Sequence, residues 1–162
     1  MNVLEFKWTI SRARDTYGYN VMTLYVDGVK TARCNGGGYD MKGTVLGNFI
    51  ARRFKDELLK LETEFYGLTF HDPNYDPGKE VIDGETVAER EKAGKSLGLE
   101  RYQSFYKASS KIPTERHTIP SINGACGFSS VERILKAIGH HLEYIPTRGQ
   151  NSIYKLEPIT PI

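Results

Sequence analysis

Alternation at the N-terminus constrains this chain more than any other feature. Leu4, Phe6, Trp8 and Ile10 alternate with Glu5, Lys7, Thr9 and Ser11, the period of two that puts one side of a strand on a core. A second extended run, 21–26, meets Asp27-Gly28 and is followed by a third, 29–34. Asp-Gly between two such runs signals a type I′ hairpin, whose two turn residues both need positive φ. Three antiparallel strands therefore open the fold, and the apolar face of such a sheet needs a cover.

The rest of the chain contains that cover. The triplet Gly36, Gly37 and Gly38 ends the third strand, since glycines neither pack nor order cheaply in a ladder. Leu46, Ile50, Phe54, Leu58, Leu61 and Phe65, reinforced by Val45 and Phe49, then recur at steps of three and four and predict a long helix over 44–66. Its other side carries Arg52, Arg53, Lys55, Asp56, Lys60, Glu62 and Glu64, a solvated face. Residues 67–84, with Pro73, Pro77, Gly78 and several Asp, read as a surface loop. Weak helical pattern follows over 85–95, with a better apolar face at Leu99, Tyr102, Phe105 and Tyr106. Residues 111–127, bearing Pro113 and Pro120, read as an irregular loop.

Ser129-Ser130-Val131-Glu132 has the spacing of a capping box, and Val131, Ile134, Leu135 and Ile138 extend it into an amphipathic helix that stops near Gly139. Runs 140–145 and 152–156 pair across 147–151 as a last hairpin. The expected architecture is one α+β domain over 1–162: an antiparallel sheet of the N-terminal strands, open to extension by the C-terminal hairpin, with two or three helices on one face.

A chain of 162 residues can bury a sufficient core without a metal or a disulfide. Cys34 and Cys126 lie far apart and form no zinc-ligand spacing, so reduced thiols are expected and no metal or cofactor is implied. Lys plus Arg number 22 against 20 Asp plus Glu, so any basic patch must come from local arrangement. No apolar run approaches the roughly 20 residues that span a bilayer, and no secretory leader is recognisable after Met1; a cytoplasmic protein without a membrane partner is the expectation.

The densest chemistry is Cys34-Asn35-Gly36-Gly37-Gly38-Tyr39-Asp40, between a strand and the long helix, where backbone amides and a helix N-terminus suit an anion. It is neither GxGxxG nor a Walker A loop, and a plain strand-to-helix turn is the favoured reading. Arg12 and Arg14, followed by Tyr17 and Tyr19, offer charge and stacking surfaces if the first hairpin brings them to that end of the sheet; otherwise they are exposed strand-end residues. Residues 11–20, Ser11-Arg12-Ala13-Arg14-Asp15-Thr16-Tyr17-Gly18-Tyr19-Asn20, together with 34–44, resemble uncharacterised small proteins encoded by tailed phages and prophages. That resemblance covers about the first third of the chain and brings no catalytic residue or cofactor. It implies a bacterial host cytoplasm and a role in phage replication, gene control or interference with a host process.

Other constellations are thinner. Cys126 just before a helix start, with His117, His140 and His141 as possible bases and His140 following it in the chain, has the order of a cysteine nucleophile and base, yet no oxyanion donor or orienting third residue is identifiable and a lone Cys is commonly a small buried hydrophobe. Asp72, Asn74, Asp76, Glu80 and Asp83 superficially resemble an EF-hand loop, but Pro77 stands where the sharp turn needs Gly; a solvated acidic loop is the simpler reading. The run 130–145 resembles the last helix and strand of helix-turn-helix antitoxins and small phage repressors, with Arg148, Gln150 and Asn151 at a wing tip, although no compact helix-turn-helix precedes it. His140 and His141, adjacent on a strand, face opposite sides and cannot chelate together. Because each candidate stands alone, a non-enzymatic binding or regulatory protein acting on nucleic acid or a host protein is favoured. The alternatives are a small hydrolase using Cys126 and an inhibitor of host defence. The expected ligand surface is Arg12, Arg14, Tyr17, Tyr19 and the turn 36–40.

Overall fold

In the computed structural model the N-terminal alternation becomes β1 (Asn2–Ser11), followed by β2 (Tyr19–Val26) and β3 (Val29–Asn35). The structure describes residues 1–11, 19–35, 40–61, 65–71, 76, 78–79, 81–95, 119–122, 127–149 and 151–160. Asp27 and Gly28 take φ of 49° and 82°, the positive values that the hairpin requires. The turn is also tied to β1: the Val3 N–H donates to Asp27 Oδ1 at 2.7 Å, and the Asp27 N–H donates to Val3 O at 2.8 Å.

The C-terminal hairpin, β8 (His140–Ile145) and β9 (Ser152–Pro158), completes the sheet by laying β9 against β1. The order is β3-β2-β1-β9-β8, antiparallel throughout. Opposed residues share a face, so the pairs Leu4 with Val26, Phe6 with Leu24, Leu24 with Ala32, Leu4 with Tyr154 and Asn2 with Leu156 define one side. Leu4, Phe6, Leu24 and Leu156 are buried there. The opposite side is dressed with charge, including the Lys7–Glu5 pair at 3.3 Å and His141–Glu157 at 3.8 Å.

Two helices cover the apolar side. The first, α1 (Met41–Arg53), buries Val45, Leu46, Phe49 and Ile50; the last, α4 (Phe128–Ala137), buries Val131, Ile134 and Leu135. The helix expected over 44–66 is shorter and broken: it begins three residues earlier, leaves helical geometry at Phe54 (φ −115°, ψ 35°), and resumes as α2 (Lys55–Leu59). Phe54 is buried and its ring lies 4.4 Å from that of His140, so a packing contact with β8 sits at the break. The capping box expected from Ser129 to Glu132 is not formed either. The N-cap of α4 is Gly127, and no side chain of that segment caps it.

The expected loops at 67–84 and 111–127 contain strands. Leu68, Thr69 and Phe70 are buried in β4 (Leu68–His71), which pairs antiparallel with β7 (Ile119–Ile122). Pro120 lies within this two-stranded ribbon, where an edge position tolerates its missing donor. Between these strands, β5 (Val81–Ile82) and β6 (Glu85–Thr86) form a tight hairpin that leads into α3 (Val87–Lys92). Here a capping box is realised: Thr86 Oγ1 accepts from the Glu89 N–H at 3.1 Å, and Glu89 Oε2 accepts from the Thr86 N–H at 3.3 Å. The apolar face expected at Leu99, Tyr102, Phe105 and Tyr106 lies outside the described residues. Among the described residues, no helix is long and apolar enough to cross a membrane.

Candidate functional site

Both covering helices begin at the same end of the sheet. Cys34, near the end of β3, donates through Sγ to Met41 O at 3.5 Å, while Arg52 Nη2 donates to Thr31 O at 3.1 Å near the start of β3, so α1 runs antiparallel to β3. At the start of α4, the Phe128 ring packs on Phe6 and Tyr154, with centroids 5.9 and 5.4 Å away. After α4 the chain enters β8 at His140, opposite Pro158, at the other end of the sheet.

One carboxylate joins the two helix N-termini. Asp40 Oδ1 accepts from the Gly43 N–H at 3.0 Å, the normal N-cap bond of α1, and Oδ2 accepts from the Phe128 N–H of α4 at 2.8 Å. Free helix N-termini are electropositive and seek an anion; the anion here is a side chain of the chain itself. The approach is close because residue 43 is glycine: a Cβ there would stand 2.7 Å from Gly127 C and from Phe128 N. One turn on, a Cβ at Gly47 would meet Ile122 Cγ2 at 3.0 Å, so the second glycine admits β7.

Beside this joint, the Lys42 ammonium is held by rings. It lies 4.4 Å from the Phe128 centroid, 4.6 Å from Tyr154 and 5.6 Å from Phe6, within cation–π range of all three. It also donates to the Tyr154 hydroxyl. Lys42 is half-buried, and among the described residues no carboxylate makes an ion pair with it. Tyr144 extends the cluster, its ring 5.4 Å from that of Tyr154.

The sheet continues past this joint. The last β1–β9 pair is Phe6 with Ser152, whereas β1 and β2 pair on to Ser11 and Tyr19. The overhanging ribbon carries Trp8 and Ile10 on the helix-bearing side, 39% and 66% exposed, and Tyr144 on β8 is 55% exposed. Asn151 steadies the step by accepting the Trp8 N–H at Oδ1, 3.3 Å away. Arg148, in the β8–β9 connection, is exposed at this same end.

Of the residues singled out in the sequence, Asp40 is thus a helix clamp. Its bonds occupy the α1 donor that an external anion was expected to use. Arg12, Arg14 and Tyr17, with Gly36, Gly37, Gly38 and Tyr39, lie outside the described residues, as does the side chain of Tyr19. The flanking positions Ser11 and Tyr19 are paired with each other, and Val21 pairs with Asn35. Cys126 and His117 also lie outside the described residues. His140 follows the C-terminus of α4, the helix whose N-cap is Gly127. Burial, the largest influence, pushes the His140 imidazole below its usual value. Burial likewise pushes the Cys34 thiol up. In the acidic stretch, Asp72, Asn74 and Glu80 lie outside the described residues; Asp76 accepts the Gly78 N–H at 2.8 Å, and Asp83 is a turn residue with φ 51°. Among the described residues, no cluster of three metal-ligating side chains occurs.

Sequence reasoning missed Lys42, Phe128 and Tyr154, which come from three distant segments. The signal within reach was Gly43 and Gly47 inside a helix, each about 1 kcal/mol less favourable there than alanine and so in need of a packing reason. Compared with models of protein families, with curated proteins and with solved structures, the chain matches none.

Proposed function

We propose that this chain is a non-enzymatic binding protein that uses the overhanging end of its sheet to hold a nucleic acid or a host protein, in the phage setting that the sequence resemblance implies. One observation carries the reading: Trp8, Ile10 and Tyr144 stand exposed on the helix-bearing side toward the end of the sheet where α1 and α4 begin, the end that also holds the half-buried Lys42 ammonium. Large apolar side chains grouped at a rim with a cation are a common makeup of recognition surfaces. Arg12 and Arg14 belong to the connection between β1 and β2, whose ends are at this same place, and they join the proposed surface on that ground.

The hydrolase alternative has less support. A helix N-terminus lowers a thiol pKa by its positive end, but the Phe128 N–H of α4 is taken by the Asp40 carboxylate, and a negative charge there opposes a thiolate. Among the described residues, His140 lies beyond the C-terminal end of α4, the end opposite the helix start on which this reading relies. A pull-down from bacterial lysate, with and without nuclease, tests the binding reading using the wild-type chain and the double variant Arg12→Ala, Arg14→Ala. Retention of a partner by the wild type and its loss from the folded variant is the expected result. Unchanged capture by the variant removes the arginines from the surface, and rapid alkylation of Cys126 with loss of a hydrolytic activity would establish the enzyme instead.

A further inference from the structure

The rim offers two ring faces and two cations. Trp8 and Tyr144 lie on the helix-bearing side of the sheet with exposed rings. They are separated by two strand spacings and about four residues along the strands, which places their Cα atoms roughly 16 Å apart. Lys42 is seated between them over Phe6 and Tyr154, and Arg148 lies at the tip of the β8–β9 connection. An ammonium has three donors, and among the described residues Lys42 uses one, on the Tyr154 hydroxyl. The Asp40 carboxylate at this end accepts from two backbone N–H groups, and among the described residues it makes no ion pair with either cation.

We infer that this rim takes single-stranded nucleic acid, with unpaired bases stacked on Trp8 and Tyr144 and backbone phosphates on Lys42 and Arg148. The inference rests on the binding reading above and names its ligand. Stacking on aromatic faces beside a positive track is how single strands are held without regard to sequence. A duplex keeps its base faces inside the stack and cannot offer them to two rings. A protein partner would instead meet a rim whose two cations need acceptors supplied at fixed places, whereas a phosphate chain supplies them along its length.

The chain contains one tryptophan, so Trp8 reports its own site. Titration of the full chain with a short oligothymidylate, the matching oligouridylate and a blunt duplex of equal length should show saturable quenching of Trp8 by the single strands and not by the duplex. With two phosphates neutralised, affinity should fall about sevenfold between about 50 and about 200 mM salt. Tyr144→Ala should weaken binding about tenfold, and Arg148→Gln should reduce that salt effect to about threefold. Both side chains are exposed, so neither change should disturb the fold, which circular dichroism checks. Unquenched Trp8, equal response to the duplex, or full affinity in Tyr144→Ala overturns the assignment. If a nuclease-resistant protein is then captured and Tyr144→Ala loses it, the binding reading stands with a protein partner; if neither binds, both readings fall.

Discussion

Asp40 performs two tasks with one side chain, and its substitution separates them from ordinary capping. Loss of a single N-cap costs about 1 kcal/mol, whereas Asp40→Ala removes bonds to both Gly43 and Phe128. We expect about 2 kcal/mol lost in urea unfolding, with Ser129→Ala, which caps nothing, within about 0.5 kcal/mol of wild type. Gly43→Ala should destabilise by more than the roughly 1 kcal/mol that alanine gains in helix propensity, because its Cβ would collide with backbone that cannot rotate away. Gly47→Ala should be milder, since Ile122 meets it with a side chain. For His140 the folded imidazole titrates below its unfolded value of 6.5. The unfolded chain therefore takes up the proton first as pH falls, and stability is full above that value and declines below it. Urea midpoints between about pH 5 and pH 8 should show this slope, and His140→Gln should flatten it. The raised Cys34 thiol should alkylate slowly near neutral pH, measured by mass spectrometry of the labelled chain.

At the scale of elements, local pattern succeeded where the stabilising partner was close in sequence. The β2–β3 hairpin turns at Asp27 and Gly28 as the local sequence signals, although its register then shifts by one residue between Leu24 and Tyr25. The start of α3 is local too, since Thr86 and Glu89 satisfy each other, although the sequence pattern over 85–95 is only weakly helical. By contrast, α4 has a capping-box spacing that goes unused because the helix begins earlier, at Phe128 after Gly127, where the Phe128 N–H donates to a carboxylate 88 residues earlier in sequence. The break at Phe54 escaped periodicity because Leu58 keeps step with Ile50 across it; the ring's contact with His140 belongs to tertiary structure. The ribbon of β4 and β7 was hidden by prolines and polar residues around it, although Leu68, Phe70 and Ile122 are buried in it. Its strands are four residues each, too short for alternation to stand out.

The whole molecule closes by a long-range pairing, with β9 against β1 burying Leu4 and Leu156 between the chain's two ends. A chain cut after Gly139 loses this cover and should fail to give a cooperative thermal transition. Leu156→Ala should cost about 2–5 kcal/mol, read from denaturant unfolding of the full chain. The strands at both ends, the Asp27-Gly28 turn, the apolar faces of the two covering helices and the α+β class are legible in the chain's local pattern, because period and turn chemistry are local. Folding in three dimensions is what makes Asp40 clamp two helices, sets Lys42 among Phe6, Phe128 and Tyr154, and brings Trp8 and Tyr144 toward the same end. Those groups meet through the β1–β9 register and the close approach at Gly43, and such contacts depend on spatial packing that no window of sequence contains.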